Sequence, residues 1–373
     1  MYTDVSTYYK KTTKNNETSS IFLYNSRKYE TVSHKFNDMD NLEKNTEYKE
    51  LVERIGSVYN RAKSNVISAV NIEMLNAYWE IGKHIVEYEQ KGELKADYGS
   101  KILLNISKDL KLRYGKGFSR SNLSYMRQFY IKYPNRETVS HKLTWSHYFE
   151  LLKIDDDLAR EFYQKQAIKE NWTVRELKRQ KKTGLFHRIA LSKDKDKILK
   201  LSKQGQIIET ENDLTRDPYV FEFLGIPENY EYTESDIEKA IINNLQSFLL
   251  ELGKGFAFIG RQQRITLNNR HYKVDLVFYH TKLKCYVLID LKIGEVEHEH
   301  IGQMKLYLGY YEKEINDEND NTPIGIILSE EKDDIMVEYA MLNDKAKLIV
   351  SKYQLYLPDT EELKKKVKET IEK

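Results

Sequence analysis

Residues 274–294 read VDLVFYHTKLKCYVLIDLKIG. Two runs rich in Val, Leu, Ile and aromatic residues flank a polar turn at about 280–284, the pattern of two paired strands. Asp275, Asp290 and Lys292 interrupt those runs. Alternate residues of a strand share a face, so Asp290 and Lys292 point the same way, and pairing can bring Asp275 to that side. Two carboxylates held close repel, and each is costly to bury bare. A divalent cation removes both penalties. Mg²⁺ takes oxygen ligands and keeps several waters; it also polarises a phosphoryl oxygen and lowers the pKa of a bound water. Lys292 can then orient that water or offset charge gathering on a phosphate. The plain alternative is an ion pair at a sheet rim, because Asp-x-Lys is common by chance. The setting of both acids inside apolar strands favours the metal.

The flanking sequence extends the pattern. Ser235 and Asp236 can cap a helix over 236–252, with Ile237, Ile241, Leu245, Phe248 and Leu249 on one face. Further strands are expected at 256–260, 262–267, 324–329 and 346–351, and helices at about 298–315 and 332–343. This is an α/β (α+β) pattern: a mixed sheet flanked by helices.

Upstream the character changes. Apolar residues recur every three or four positions from about 47 to 183, predicting an all-α region. Gly56, Gly82 and Asn71 are its expected interruptions. Residues 1–46 are polar and read as a mobile tail, 184–215 as a connector, and 216–373 as the α/β domain. Residues 91–136 hold eleven Lys/Arg against three acids, a local net of +8, with aromatic residues interleaved. Within them, GFSRSNLSYMRQFY reads as a turn and a capped helix. Its Arg120, Ser121, Asn122, Tyr125 and Arg127 are the residue types that address phosphates and base edges. A winged-helix-like or other helix-turn-helix arrangement fits this region, and so does a generic bundle with a solvated basic face.

The hairpin and its flanking helices resemble the PD-(D/E)xK nuclease superfamily, and more narrowly the bacterial YhcG-type nucleases. The resemblance runs from about residue 50 to 355. It is carried by YWEIGKHI (78–85), LTWSHY (143–148), AREFY (159–163), ENWTVRELKRQ (170–180), DPYVFEFLG (217–225), LLELGKGFAFIGRQ (249–262) and DLKIGE followed by GQM (290–295, 302–304). It implies a restriction-endonuclease-like core, a DNA substrate, a 5′-phosphate product, and Mg²⁺ or Mn²⁺ as cofactor. By position it makes Asp275 and Asp290 metal ligands and Lys292 the water-positioning lysine. Glu238 becomes the acid on the first core helix, and Gln303 an amide near the scissile phosphate. Arg261 and Gln262 are candidate backbone contacts. Val274 stands where the superfamily name has Pro, and Asp290 where close relatives more often carry Glu. RNA remains an alternative substrate, a homodimer is expected where both strands of a duplex are cut, and an inactive DNA-binding protein on the same fold is the competing function.

Composition sets the outer bounds. The 373 residues suffice for two or three domains, and the net charge of +2 names no partner. One cysteine, Cys285, excludes a disulfide framework and a Cys-rich zinc site. There is no phosphate loop of the Gly-x-x-x-x-Gly-Lys type, so ATP dependence is not expected. No apolar run reaches the ~20 residues of a membrane span, and the N-terminus lacks a signal-peptide core. These point to no membrane partner and a cytoplasmic location. EVEHEH (295–300) offers metal-ligating types, but its acids suit a solvated helix start.

Overall fold

A computed structural model describes residues 46–91, 96–191, 193–227, 231–340 and 346–372. The expected tail, 1–46, lies outside the described residues but for its last. The chain divides into two units, Met1–Glu73 and Met74–Lys373. Helix α1, Thr46–Lys91, begins in the first and runs unbroken into the second, with no interruption at Gly56, Asn71 or Gly82. A helical Gly costs only about 1 kcal/mol, too little to break so long a run.

In the second unit the helical region continues with α2 (Ala96–Tyr114), α3 (Arg120–Lys132), α4 (Trp145–Leu151), α5 (Asp157–Glu170), α6 (Val174–Lys182), α7 (Leu185–Ala190) and α8 (Lys195–Gln204). Described residues 46–204 contain no strand. The region is all-α, and the strands of a wing are absent among its described residues. Leu75, Phe129, Tyr148, Phe162, Leu177 and Phe186 form its core. Part of the expected connector, 184–215, belongs to that core: α7 and α8 bury Leu185, Ile189, Ile198 and Leu201. Lysines on the exposed face of α8 had masked its apolar spacing. Gly82 marks a close approach of α1 to α3, for an added Cβ would lie 2.0 Å from the Met126 carbonyl oxygen. Gly82→Ala is therefore expected to lower stability by roughly 1–3 kcal/mol, although Ala normally gains about 1 kcal/mol over Gly in a helix. A higher melting temperature for the variant would refute the close approach.

The α/β region opens with a two-residue strand β1 (Tyr219–Val220), then α9 (Glu234–Asn243), α10 (Leu245–Leu252), β2 (Phe256–Leu267), β3 (Arg270–His280), β4 (Cys285–Glu295), α11 (His298–Tyr310), β5 (Ile324–Glu331), α12 (Asp334–Ala340), β6 (Lys347–Gln354) and α13 (Thr360–Glu372). The single helix expected over 236–252 is two, broken at Asn244, and its cap is Thr233 rather than Ser235 or Asp236. The strands form one mixed sheet in the order β1-β6-β5-β4-β3-β2. β2, β3 and β4 are antiparallel; β4, β5, β6 and β1 are parallel. Asn268 and Asn269, both at positive φ, turn β2 into β3, as a two-residue hairpin requires. One sheet face packs on Ile237, Ile241 and Phe248 of α9 and α10. The other packs on Ile301, Met304 and Tyr307 of α11. This is the restriction-endonuclease-like arrangement of a mixed sheet flanked by helices. The last helix, α13, leaves the sheet and buries Val367 in the helical core. Among the described residues no helix is long and apolar enough to cross a membrane.

A second set of buried charges joins the helical and α/β regions. Glu251 on α10 is fully buried. Its carboxylate accepts from Arg188 of α7 at 2.6 Å, from Arg179 of α6 at 3.3 Å, and from the Val220 amide at 3.0 Å. Buried Arg216 donates to the Glu251 main-chain oxygen. Burial pushes the Glu251 carboxyl up, but Arg188, Arg216 and Arg179 more than offset it, and its pKa lies below the ordinary value.

Candidate active site

The β3–β4 ladder ends at the pair Leu276↔Ile289. Asp275 and Asp290 are the next residue on each strand, so both acids stand where the strands part. β4 continues beside β5, with Asp290 opposite Ile327 and Lys292 opposite Ser329. Where the ladder stops, a side chain takes over: the Leu291 amide donates to Asp275 Oδ2 at 2.8 Å. Asp290 is buried, and its Oδ2 lies 2.9 Å from Lys292 Nζ. Burial and the neighbouring Asp290 push the Asp275 carboxyl up to about 6. Burial likewise raises Asp290 despite Lys292. For Lys292, burial works against the ammonium, but Asp290, Glu234 and Asp275 outweigh it and its pKa is raised.

Glu238 lies on the second turn of α9 and is buried. It reaches the pair through Gln262, whose Nε2 donates to Glu238 Oε2 at 2.7 Å and to Asp275 Oδ1 at 2.9 Å. Gln262 has φ 48° and sits between the paired residues Arg261 and Gln263, opposite Asp275. Its amide is engaged inside the site, whereas Arg261 is exposed beside Glu238. An open cavity of about 400 Å³ is lined by Glu234, Glu238, Lys239, Arg261, Gln262 and Asp275. Gln303 lies half-buried on α11 beside the Tyr307 hydroxyl, which itself senses Asp290 and Asp275.

Two residues were not singled out from the sequence. Glu234 places Oε2 3.6 Å from Lys292 Nζ and Oε1 3.4 Å from the Ile293 amide. The buried Tyr307 hydroxyl faces the carboxylate pair from α11. Helical spacing could have flagged Tyr307, four residues after Gln303 and so on the same face. Glu234 has only the look of a first-turn acid.

In the helical region Arg120 and Ser121 are exposed. Asn122 donates to the Gly117 carbonyl at 3.0 Å. The Tyr125 ring packs on Phe149 at 4.2 Å, and Arg127 is paired to Glu89 at 2.6 Å. EVEHEH forms a helix start, with Glu297 and His300 in a capping box. Among the described residues no group of three or more His, Cys, Asp or Glu converges as a ready metal cage.

The chemistry of the donors nevertheless fits a hard divalent ion. Asp275, Asp290, Glu234 and Glu238 set four carboxylates against Lys292, Lys239 and Arg261, a net negative balance that disfavours a bare phosphate. The carboxylates of Asp275, Glu234 and Glu238 border open space, which matches an ion that keeps several waters. Gln262→Ala would leave Glu238 and Asp275 without their shared donor. Cleavage is expected to fall about 10–100-fold, the usual cost of removing a residue that orients ligands. An unchanged rate would show that the amide does not position Asp275.

Comparison with known proteins places the chain in a family. Residues 212–368 match the YhcG PDDEXK nuclease domain, and residues 54–188 the DUF1016 N-terminal domain. The "Putative nuclease YhcG" of Escherichia coli (strain K12) is 36% identical over 348 residues, covering 85% of this chain and 92% of that protein. Among solved structures, a repair endonuclease from Pyrococcus abyssi aligns at 22% identity and a TM-score of 0.25, over 35% of this chain and 50% of that one. EndoMS in its apo form aligns at 15% and 0.23, over 35% and 48%. The chain belongs to the YhcG family of PD-(D/E)xK nucleases. It is an enzyme class that hydrolyses phosphodiester bonds of nucleic acids, generally with divalent metal ions.

Proposed function

We propose that the chain is a DNA endonuclease dependent on Mg²⁺ or Mn²⁺, with the helical region (47–183) binding the DNA that the α/β region (216–373) cuts. The observation that carries this reading is the convergence of Asp275 and Asp290 where the β3–β4 ladder opens, with Lys292 on Asp290. Asp275 and Asp290 hold the ion, which when bound supplies Lewis acidity and a more acidic water. Lys292 orients the attacking water and offsets charge on the phosphate. Gln262 fixes Asp275 and links it to Glu238, which would add a carboxylate to the surroundings of a bound ion. Gln303 approaches the phosphate from α11, and Arg261 takes the flanking backbone. Product ends carry the 5′-phosphate. One such centre cuts one strand at a time, so a double-strand cut calls for two copies.

The test is cleavage of duplex, branched and single-stranded DNA, with RNA alongside, in Mg²⁺, Mn²⁺ or EDTA, beside an Asp290→Ala protein. Metal-dependent products that vanish in the variant are expected. Binding by both proteins without cleavage in either metal would mean an inactive DNA-binding protein. Equal cleavage by both would place the chemistry elsewhere.

A further inference from the structure

One feature of the helical region is not used by the centre at Asp290. Helix α2 ends in Lys111, Leu112, Arg113 and Tyr114, and Gly115 at φ 89° turns the chain. A short turn, Lys116–Phe118, leads to Ser119, which caps α3 by accepting from the Asn122 amide at 3.1 Å. The corner is held from behind. Ser107 donates to the Phe118 carbonyl at 2.9 Å, and Phe118 packs against Leu103, Leu123 and Met126. Its front carries Leu112, 89% exposed, and Tyr114, 69% exposed. Leu112 is the most exposed of the large apolar side chains described. Around them stand Lys111, Arg113, Lys116 and Arg120, none ion-paired to a described carboxylate. From 110 to 136 the sequence holds no acid.

We propose that this corner is a wedge for nucleic acid whose bases are unstacked, at a gap, flap or junction. The proposal rests on the nuclease reading and names its substrate class. Four cations about one turn, none paired to a carboxylate among the described residues, select a polyanion and give salt-dependent binding. They do not explain a leucine left in water beside a tyrosine whose ring touches only Phe118, at 5.9 Å, among the ring contacts described. An intact duplex presents phosphates and stacked bases, and offers such side chains little. An opened step offers a bare base face, on which tyrosine stacks and against which leucine packs. A pre-built corner also loses little freedom on binding. An anionic membrane would satisfy the charge, but one Leu and one Tyr bury far less than a myristoyl chain, which alone anchors only marginally.

The experiment is binding by the full chain in EDTA, which stops cleavage and separates this proposal from the catalytic one. Probes are a fluorescent duplex, the same duplex with a gap, and a three-way junction. Wild type, Leu112→Ala/Tyr114→Ala and Lys111→Ala/Arg113→Ala are compared, with melting curves confirming that each folds. Leu112→Ala/Tyr114→Ala is expected to lose about 10–100-fold on gapped and branched DNA, and under about 3-fold on intact duplex. Lys111→Ala/Arg113→Ala is expected to weaken all three and to flatten the salt dependence by about two charges. Equal losses of Leu112→Ala/Tyr114→Ala on all three probes, or none, would overturn the wedge. So would phosphatidylserine vesicles binding wild type but not that variant. Cleavage abolished by Asp290→Ala alongside a failed wedge would leave the nuclease standing without this preference.

Discussion

Asp275→Asn is expected to abolish cleavage and to make the metal-free protein more stable. The loss follows from removing one of the two carboxylates proposed to hold the ion, and is expected to exceed about 10³-fold. The gain follows from the burial of the carboxylate and its repulsion by Asp290. The Asp275 carboxyl is raised to about 6 by burial and by Asp290. A carboxyl with a folded pKa above its unfolded value imposes no penalty at low pH. The penalty grows as pH rises from the unfolded value through about 6, and is complete above that. In EDTA at pH 7.5 the variant should therefore unfold later than wild type, by on the order of 1–2 kcal/mol after the hydrogen bonds an amide cannot reproduce. At pH 4 the advantage should vanish. Mg²⁺ at a hundred times its Kd should raise wild type by about 2.7 kcal/mol and leave the variant unmoved. A variant less stable than wild type in EDTA at pH 7.5 would mean that the two carboxylates are not in conflict.

Glu251→Gln should give the largest loss of stability of any single substitution considered. Arg188 and Arg216 are fully buried, and the Glu251 carboxylate is the charge that Arg188 meets directly at 2.6 Å. Breaking a buried pair by removing one member costs about 3–5 kcal/mol, because the other charge is left uncompensated. Urea unfolding should show the midpoint falling with little change in slope. A loss below about 1 kcal/mol would show that water or the neighbouring carbonyls already satisfy the arginines.

Much of the centre could be read from residues 274–294 because charge in an apolar strand is expensive and therefore informative. Asp275, Asp290 and Lys292 declare themselves this way, and Glu238 lies on the helix that the apolar spacing predicted. What escaped depends on geometry that leaves no local trace. The bond from Gln262 to two carboxylates needs a residue at positive φ within a strand, and nothing in FIGRQQRITL marks which residue that is. Arg127 reads as a free cation because its partner, Glu89, lies 38 residues away. β1 is two residues long and carries no periodicity, and α8 hides its apolar face among lysines.

Helix α13 gives the chain an order of assembly. Val367 is buried among residues of the helical region, and an added Cβ at Gly184 would lie 3.2 Å from Leu363. Most of that region is synthesised first, yet its packing stays open until residues 360–372 have emerged and returned to it. During synthesis the early helices must wait with an uncovered patch, exposed to chaperones or to wrong partners. The residues of the proposed centre have by then been synthesised, so the helical region is completed only after them.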